Sequence, residues 1–387
     1  MDPFNKILIL IICLFSTEIS AFGNNHYEDS LLMQHYYEAG LGLYSEGLYS
    51  QALDSFKYAF ETGKKIYSEN HFNLRNINNG LGITYRNIGQ YDKALEHFLL
   101  AEQSYRSDSV KNELAIARVY NNIGNVYYNK FNYGTALEYY QRAADIFLSR
   151  KEVDYAGVSD IQYSMANIHY ELRNNNKALE IIEEYSSLAY PESRLYFLSL
   201  KAAVFQVMNN YEEAYKSFTE AIEYAESLFS PEDLNVIFEY LNFATFLISN
   251  SNFDEALKVL DKIKIILKEK EIISGGTVAL YHKTRGTYYD NLTVDTKNID
   301  TFRKSKAINL RNAINSYEQG LKALHFKITV SASAEESSVS TVSLTQSLDL
   351  LKKIADTYLQ LSELGERDDN EEYKKMIFSS VHLIFMI

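Results

Sequence analysis

Along most of the chain apolar residues recur three and four positions apart, the spacing of helices with one buried side. Between residues 75 and 150 that pattern is written twice, as "NNGLGITYRNIGQYDKALEHFLLAEQSY" and "NNIGNVYYNKFNYGTALEYYQRAADIF". With Gly82 set over Gly124, Leu81 meets Ile123, Tyr85 meets Tyr127 and Tyr91 meets Tyr133. Ala94 then falls on Ala136, Phe98 on Tyr140 and Ala101 on Ala143. Small and large residues at fixed offsets predict helical pairs stacked on copies of themselves. The same register places first-helix small residues at Gly40, Gly82, Gly124 and Ala166, each 42 after the last, and then at Ala202, Ala244 and Gly286. A second-helix alanine follows twelve residues later at Ala52, Ala94, Ala136, Ala178, Ala214 and Ala256. Gly or Ala at a helix crossing lets two backbones approach. Tyr85, Phe98, Tyr127 and Tyr140 are expected to fill the wedge between neighbouring pairs.

This arrangement of small residue, aromatic and alanine resembles the tetratricopeptide repeat (TPR). The usual TPR period is about 34 residues. The surplus is close to two helical turns at about 3.6 residues each, which predicts one extra turn per helix. The lengthened spacing is similar to that of the kinesin light chain type. The fold expected is all-α, an α-α superhelix (TPR solenoid) of about seven to eight helical hairpins occupying residues 24–328. Few breakers interrupt it, with 3 Pro and 16 Gly in 387 residues. In the seventh hairpin "LTVDTKNIDTFRKSK" separates Gly286 from a displaced alanine at Ala313, reading as a fifteen-residue polar insertion. A Ser/Thr-rich linker is expected at 329–343, a degenerate last unit at 344–375, and an apolar segment at 376–387.

Residues 1–23 read as an export signal. Lys6 provides the positive end, Ile7 to Phe15 an apolar core, and Ile19-Ser20-Ala21 a small-residue exit. Cleavage after residue 21 or 23 would give an exported protein, periplasmic or membrane-associated, without cysteine, since Cys13 is the only one. The twelve terminal residues follow Lys374 and Lys375 and read either as the start of a transmembrane helix or as an apolar second helix; both stay open. The layout is similar to the exported sensor part of bacterial membrane-anchored TPR regulators. That resemblance implies an alternative role as the extracytoplasmic sensor portion of a transcriptional regulator without its DNA-binding output domain.

A formal charge of -13 argues against nucleic acid as a ligand of the repeats. The eight histidines form no metal-spaced pair, and neither a phosphate loop nor a nucleophile constellation occurs, so no catalytic residue, metal or cofactor is expected. A non-catalytic protein–protein interaction module is expected instead, with a protein or peptide partner in the concave groove. The resemblance to TPR proteins places groove-facing residues at offsets -6, -3, +1, +4 and +5 from each first-helix small residue. Carried onto this sequence, the candidate binding residues are Asn76, Asn79, Arg86, Asn87, Arg118, Asn121, Asn125, Tyr128, Asn129, Asn167 and Tyr170. Asn is a mediocre helix former, so its recurrence on these faces points to contacts rather than to helix stability. Its amide pairs with peptide backbone whatever the side chain, and the two arginines suit an acidic group. The lysines of a C-terminal carboxylate clamp are absent from these positions.

Overall fold

The computed structural model describes residues 26–69, 71–107, 113–150, 153–272, 275–324 and 341–364. The export-signal reading, most of the Ser/Thr-rich tract and the apolar segment 376–387 therefore lie outside the described residues. Every element among the described residues is helical. The chain divides into two compact units, Met1–Leu172 and Arg173–Ile387.

In the first unit α1 (26–45) and α2 (Tyr49–Lys64) are followed by α3 (Arg75–Asn87) and α4 (Tyr91–Ser107). Then come α5 (Glu113–Asn129), α6 (Tyr133–Leu148) and α7 (Tyr155–Glu171). The second unit holds α8 (Asn175–Tyr185), α9 (Pro191–Val207), α10 (Tyr211–Leu228), α11 (Leu234–Ser249) and α12 (Phe253–Glu269). It continues with α13 (Gly276–Asn291), α14 (Ile299–Ala323) and α15 (Thr341–Glu363). Helices consecutive in the chain pack as antiparallel pairs: α3 on α4, α5 on α6, α9 on α10, α11 on α12 and α13 on α14.

The alanine register holds throughout. Ala52, Ala94, Ala136, Ala178, Ala214, Ala256 and Ala313 are all fully buried, as are Ala166, Ala202 and Ala244. The glycines do something more specific than bring backbones together. A Cβ built on Gly82 would lie 2.6 Å from the Phe98 ring, one on Gly124 2.6 Å from Tyr140, and one on Gly40 2.7 Å from Phe56. In the second unit Gly286 meets Tyr317 in the same way, at 2.3 Å. Each ring lies flat on the glycine of its own pair, so Phe98 and Tyr140 are not simply wedges between neighbouring pairs. Phe56 does both, since its edge also reaches Gly80 of the next pair. Tyr85 and Tyr127 likewise turn inward within their pairs, stacking on His97 (5.5 Å between centroids) and Tyr139 (5.7 Å).

Five of the turns inside pairs share one construction, which the longer connection from α13 to α14 does not use. Gly47, Gly89, Phe131, Asn209 and Ser251 adopt positive φ, from 56° to 78°. The following amide donates five residues back, Gln90 N to Tyr85 O and Asn132 N to Tyr127 O for example, which closes the end of the first helix in a Schellman motif. Two boundaries differ from expectation. Of the fifteen-residue insertion only the first part is a loop; Asn298 caps Thr301 N at 2.9 Å and helix α14 runs on from Ile299 without Pro or Gly to stop it. The last helix starts at Thr341, inside the expected Ser/Thr-rich linker.

Two ties across the pairs recur. In the first unit Tyr120 Oη donates to Glu102 Oε1 (2.7 Å) and accepts from Arg106 and Arg142 (2.6 Å each). In the second, Tyr240 joins Glu226 and Lys262 from equivalent helices. The glycine contact gives a direct test. Gly82→Ala should destabilise the chain by about 1–3 kcal/mol, because the fully buried Phe98 ring cannot withdraw. Combining it with Phe98→Leu, which copies the Ala244 and Leu260 of a later pair, should cost less than the two changes summed; thermal melts of the double-mutant cycle measure this.

Candidate functional site

The eleven candidate residues all lie on α3, α5 and α7, first helices of the first unit. Six are occupied by neighbouring helices. Asn87 Nδ2 donates to Tyr44 Oη of α1 at 2.8 Å, and Asn167 Nδ2 of α7 donates to Tyr128 Oη of α5 at 3.0 Å. Asn79 Oδ1 accepts from Asn122 Nδ2 of the next first helix at 3.2 Å. Asn76 Oδ1 accepts from Tyr105 Oη (2.8 Å) and Asn125 Oδ1 from Tyr140 Oη (2.7 Å), each within its own pair. Burial raises the ionisation of Tyr105 and Tyr140 above the ordinary phenol range, which keeps both hydroxyls as donors.

These bonds form a polar ladder across the first-helix layer. Its rungs join the +4 position of one first helix to +5 or +1 of the next, as in Tyr44–Asn87 and Tyr128–Asn167. The second unit has the same rungs: Gln206 Nε2 to Ser249 Oγ at 3.4 Å and Gln360 Nε2 to Asp290 Oδ1 at 3.3 Å. Much of the asparagine enrichment therefore serves the joining of helices. An amide suits a rung because it offers donor and acceptor together in a partly buried layer, where an unpaired polar group is costly.

At the +4 position the ladder is open between α3 and α5, which are joined instead through Asn79 and Asn122. Here the +4 residue is Arg86 and the +5 residue is Asn129, and they do not bond. Arg86 is half-buried and reaches only Asn87 Oδ1, at 3.3 and 3.4 Å, with no carboxylate partner among the described residues. It stands close enough to Tyr140 to act on that phenol electrostatically. The side chains of Arg118 and Asn129 are exposed, Tyr170 is half-buried, and none of the three makes a hydrogen bond or ion pair among the described residues, Arg118 acting only electrostatically on Tyr105. Asn121 carries a buried Oδ1 with no hydrogen bond. Arg86 and Arg118 thus stand at opposite ends of neighbouring first helices, Arg86 near Tyr140 and Arg118 near Tyr105. The donors of each can bind a carboxylate or a peptide carbonyl.

Sequence reasoning missed Tyr44, Asn122 and Tyr140 as partners of this layer. The signal was present, since the rungs join residues 39 or 43 apart, close to the repeat spacing. It also missed a buried acid in the second unit. Glu239 on α11 is 3% exposed and accepts from Ser199 Oγ of α9 at 2.6 Å, while its Oε2 has no hydrogen-bond partner. Among the described residues no group of three or more His, Cys, Asp or Glu could hold a metal ion, and no helix is long and apolar enough to cross a membrane.

Burial raises the Glu239 carboxyl above its ordinary value of 4.5. A raised folded-state value means that the group favours folding below the unfolded value and that this contribution is lost as pH rises through the folded value. Glu239→Gln should therefore melt above the parent at pH 7, with the margin shrinking towards pH 4. Equal margins at both values would show that the carboxyl is not the origin.

No curated protein sequence matches the chain. A family model described as tetratricopeptide repeat matches residues 115–189. Among solved structures, the apo form of the quorum sensor NprR from B. thuringiensis has 15% identity, covers 97% of each chain and has a TM-score of 0.60. A Rap protein complexed with Competence and Sporulation Factor has 13% identity over 92% of this chain and 99% of that one, with a TM-score of 0.52. The apo form of RapI has 14% identity over 81% and 99%, with a TM-score of 0.51. At such identities the likeness is one of fold. Matched repeat, buried alanine register and ring-on-glycine pairs together identify the fold as an all-α stack of tetratricopeptide-like repeats.

Proposed function

We propose that the chain is a non-catalytic binding module whose first-helix face on α3, α5 and α7 takes an extended segment of a protein or peptide bearing an acidic side chain. The observation that carries this reading is the opening in the ladder. Arg86 is held half-buried among amides and tyrosines without a carboxylate among the described residues, and Arg118 stands exposed on the same layer. A partly desolvated guanidinium forms charge-assisted bonds to a carboxylate about twice as strong as neutral ones. Asn129 and Tyr170 complete the face, with Asn121 beside them. The rungs Asn76, Asn79, Asn87, Asn125 and Asn167 set the spacing of the helices and contribute their remaining donors and acceptors.

The export reading of residues 1–23 places this binding in the cell envelope, as a periplasmic or membrane-associated event. A second reading, the sensor portion of a membrane-anchored regulator, draws support from the fold likeness to a protein described as a quorum sensor. Both readings use the same face. They differ in whether occupancy is passed on to an output domain.

The test separates rungs from contacts. Binding of a labelled peptide library, half of it carrying an acidic residue, is measured by fluorescence anisotropy against the parent and variants. Arg86→Ala and Arg118→Ala should each weaken the acidic binders by about tenfold, the equivalent of about 1.4 kcal/mol, and leave the melting temperature within about 2 °C. Asn79→Ala and Asn125→Ala should lower the melting temperature as well, because each breaks a bond within the repeat. Acidic binders that hold equally well to both arginine variants would remove this face from consideration.

A further inference from the structure

Helix α14 has 25 residues where its partner α13 has 16. Lys306 Nζ donates to Asp290 O at 2.6 Å, one residue before the end of α13, so residues 299–305 run past that end. The stripe that packs α14 continues into this overhang at helical spacing: Ile299, Phe302, Lys306, Leu310, Ala313 and Tyr317. Its inner half is buried in one core with Leu350, Leu351, Ile354, Tyr358 and Leu361 of α15. The outer half is not covered, with Ile299 68% and Phe302 39% exposed. Lys297, Arg303 and Lys304 beside them are exposed and make no ion pair among the described residues. A connection needs only about two to eight residues, so joining the two helices does not require the overhang.

The position of α15 says what lies next to it. Gly320 sits against Leu350, and Lys353 is 5.8 Å from the centre of the Tyr317 ring, an antiparallel register that brings Leu364 level with Lys306. Gln360 and Lys306 both bond to Asp290, which fixes that level independently. The chain therefore leaves α15 at the foot of the overhang. The sequence that follows is Glu366, Arg367, Asp368, Asp369, Asn370, Glu371 and Glu372, five acids to one base, and then Tyr373, the two bases Lys374 and Lys375, and the apolar residues from Met376.

We propose that residues 366–378 dock on the α14 overhang, with the acidic stretch against Arg303 and Lys304 and with Tyr373 and the first apolar residues over Ile299 and Phe302. The extra helix is then the seat of the chain's own last segment, and the basic, apolar patch is an internal interface. Opposite charge brings the two together, and removal of two large side chains from water holds them.

Hydrogen exchange of the backbone amides at 299–305 in the full chain tests this. Arg303→Glu with Lys304→Glu should speed their exchange by about fivefold, as should Asp368→Lys with Asp369→Lys. All four changes in one chain should return the rate to within about twofold of the parent, which a merely structural loss would not do. Failure of the fourfold variant to recover, or unchanged exchange in either double variant, overturns the proposal. Recovery seen only when the two double variants are mixed also overturns it, by assigning the seat to a second copy of the chain.

Discussion

Everything in this fold depends on how closely two helices of a pair can approach, and that distance is set where an aromatic ring lies on a glycine. Gly40 with Phe56, Gly82 with Phe98, Gly124 with Tyr140 and Gly286 with Tyr317 are one contact made four times. The ring supplies a broad apolar surface, and the missing Cβ lets it lie against backbone with no void. Where the first helix carries Ala244, the residue sixteen later is the narrower Leu260, fully buried. The volume of the crossing is conserved although both of its members change, as close packing of interiors requires. Phe218 opposite Ala202 departs from this rule, and its ring joins a cluster with Phe243 and Phe246 instead.

The register was legible from sequence because its signal is local. A Gly or Ala and an Ala twelve residues on can be matched without knowing any contact, and every such alanine is buried. The role of the asparagines was not legible in the same way. Asn79 as a surface amide and Asn79 as a rung to Asn122 have the same sequence, and only the lateral spacing of α3 and α5 decides between them. Helix propensity showed correctly that Asn at these offsets needs a reason, but it could not tell which reason. The turns escaped notice for a related cause. Gly47 and Gly89 announce a left-handed residue, whereas Phe131 and Ser251 hold the same conformation with side chains that disfavour it.

The insertion shows how a breaker-free polar segment is misjudged. "LTVDTKNIDTFRKSK" looks like a loop by polarity, yet Asn298 is a good cap and nothing after it prevents helix. Once capped, the segment adds to an existing helix at one bond per residue and avoids the cost of a new nucleus. Helix α14 therefore grows backward past its partner until the cap.

Polarity along the first helices separates the two units in a way that bears on binding. In the first unit the layer is closed by amides and phenols, neutral groups that satisfy each other and leave the guanidinium of Arg86 as the group with unmet demand. In the second unit Lys283 on α13 is paired with Asp349 on α15 at 2.7 Å, while Tyr196 and Phe238 on α9 and α11 are each 48% exposed. A ligand that needs a fixed cation finds one only where no carboxylate has been placed beside it. The rungs Tyr44–Asn87 and Tyr128–Asn167 close the same level on either side. The half-buried guanidinium of Arg86 is so held among neutral groups with no carboxylate beside it among the described residues, an arrangement whose desolvation is not offset by a charge of opposite sign.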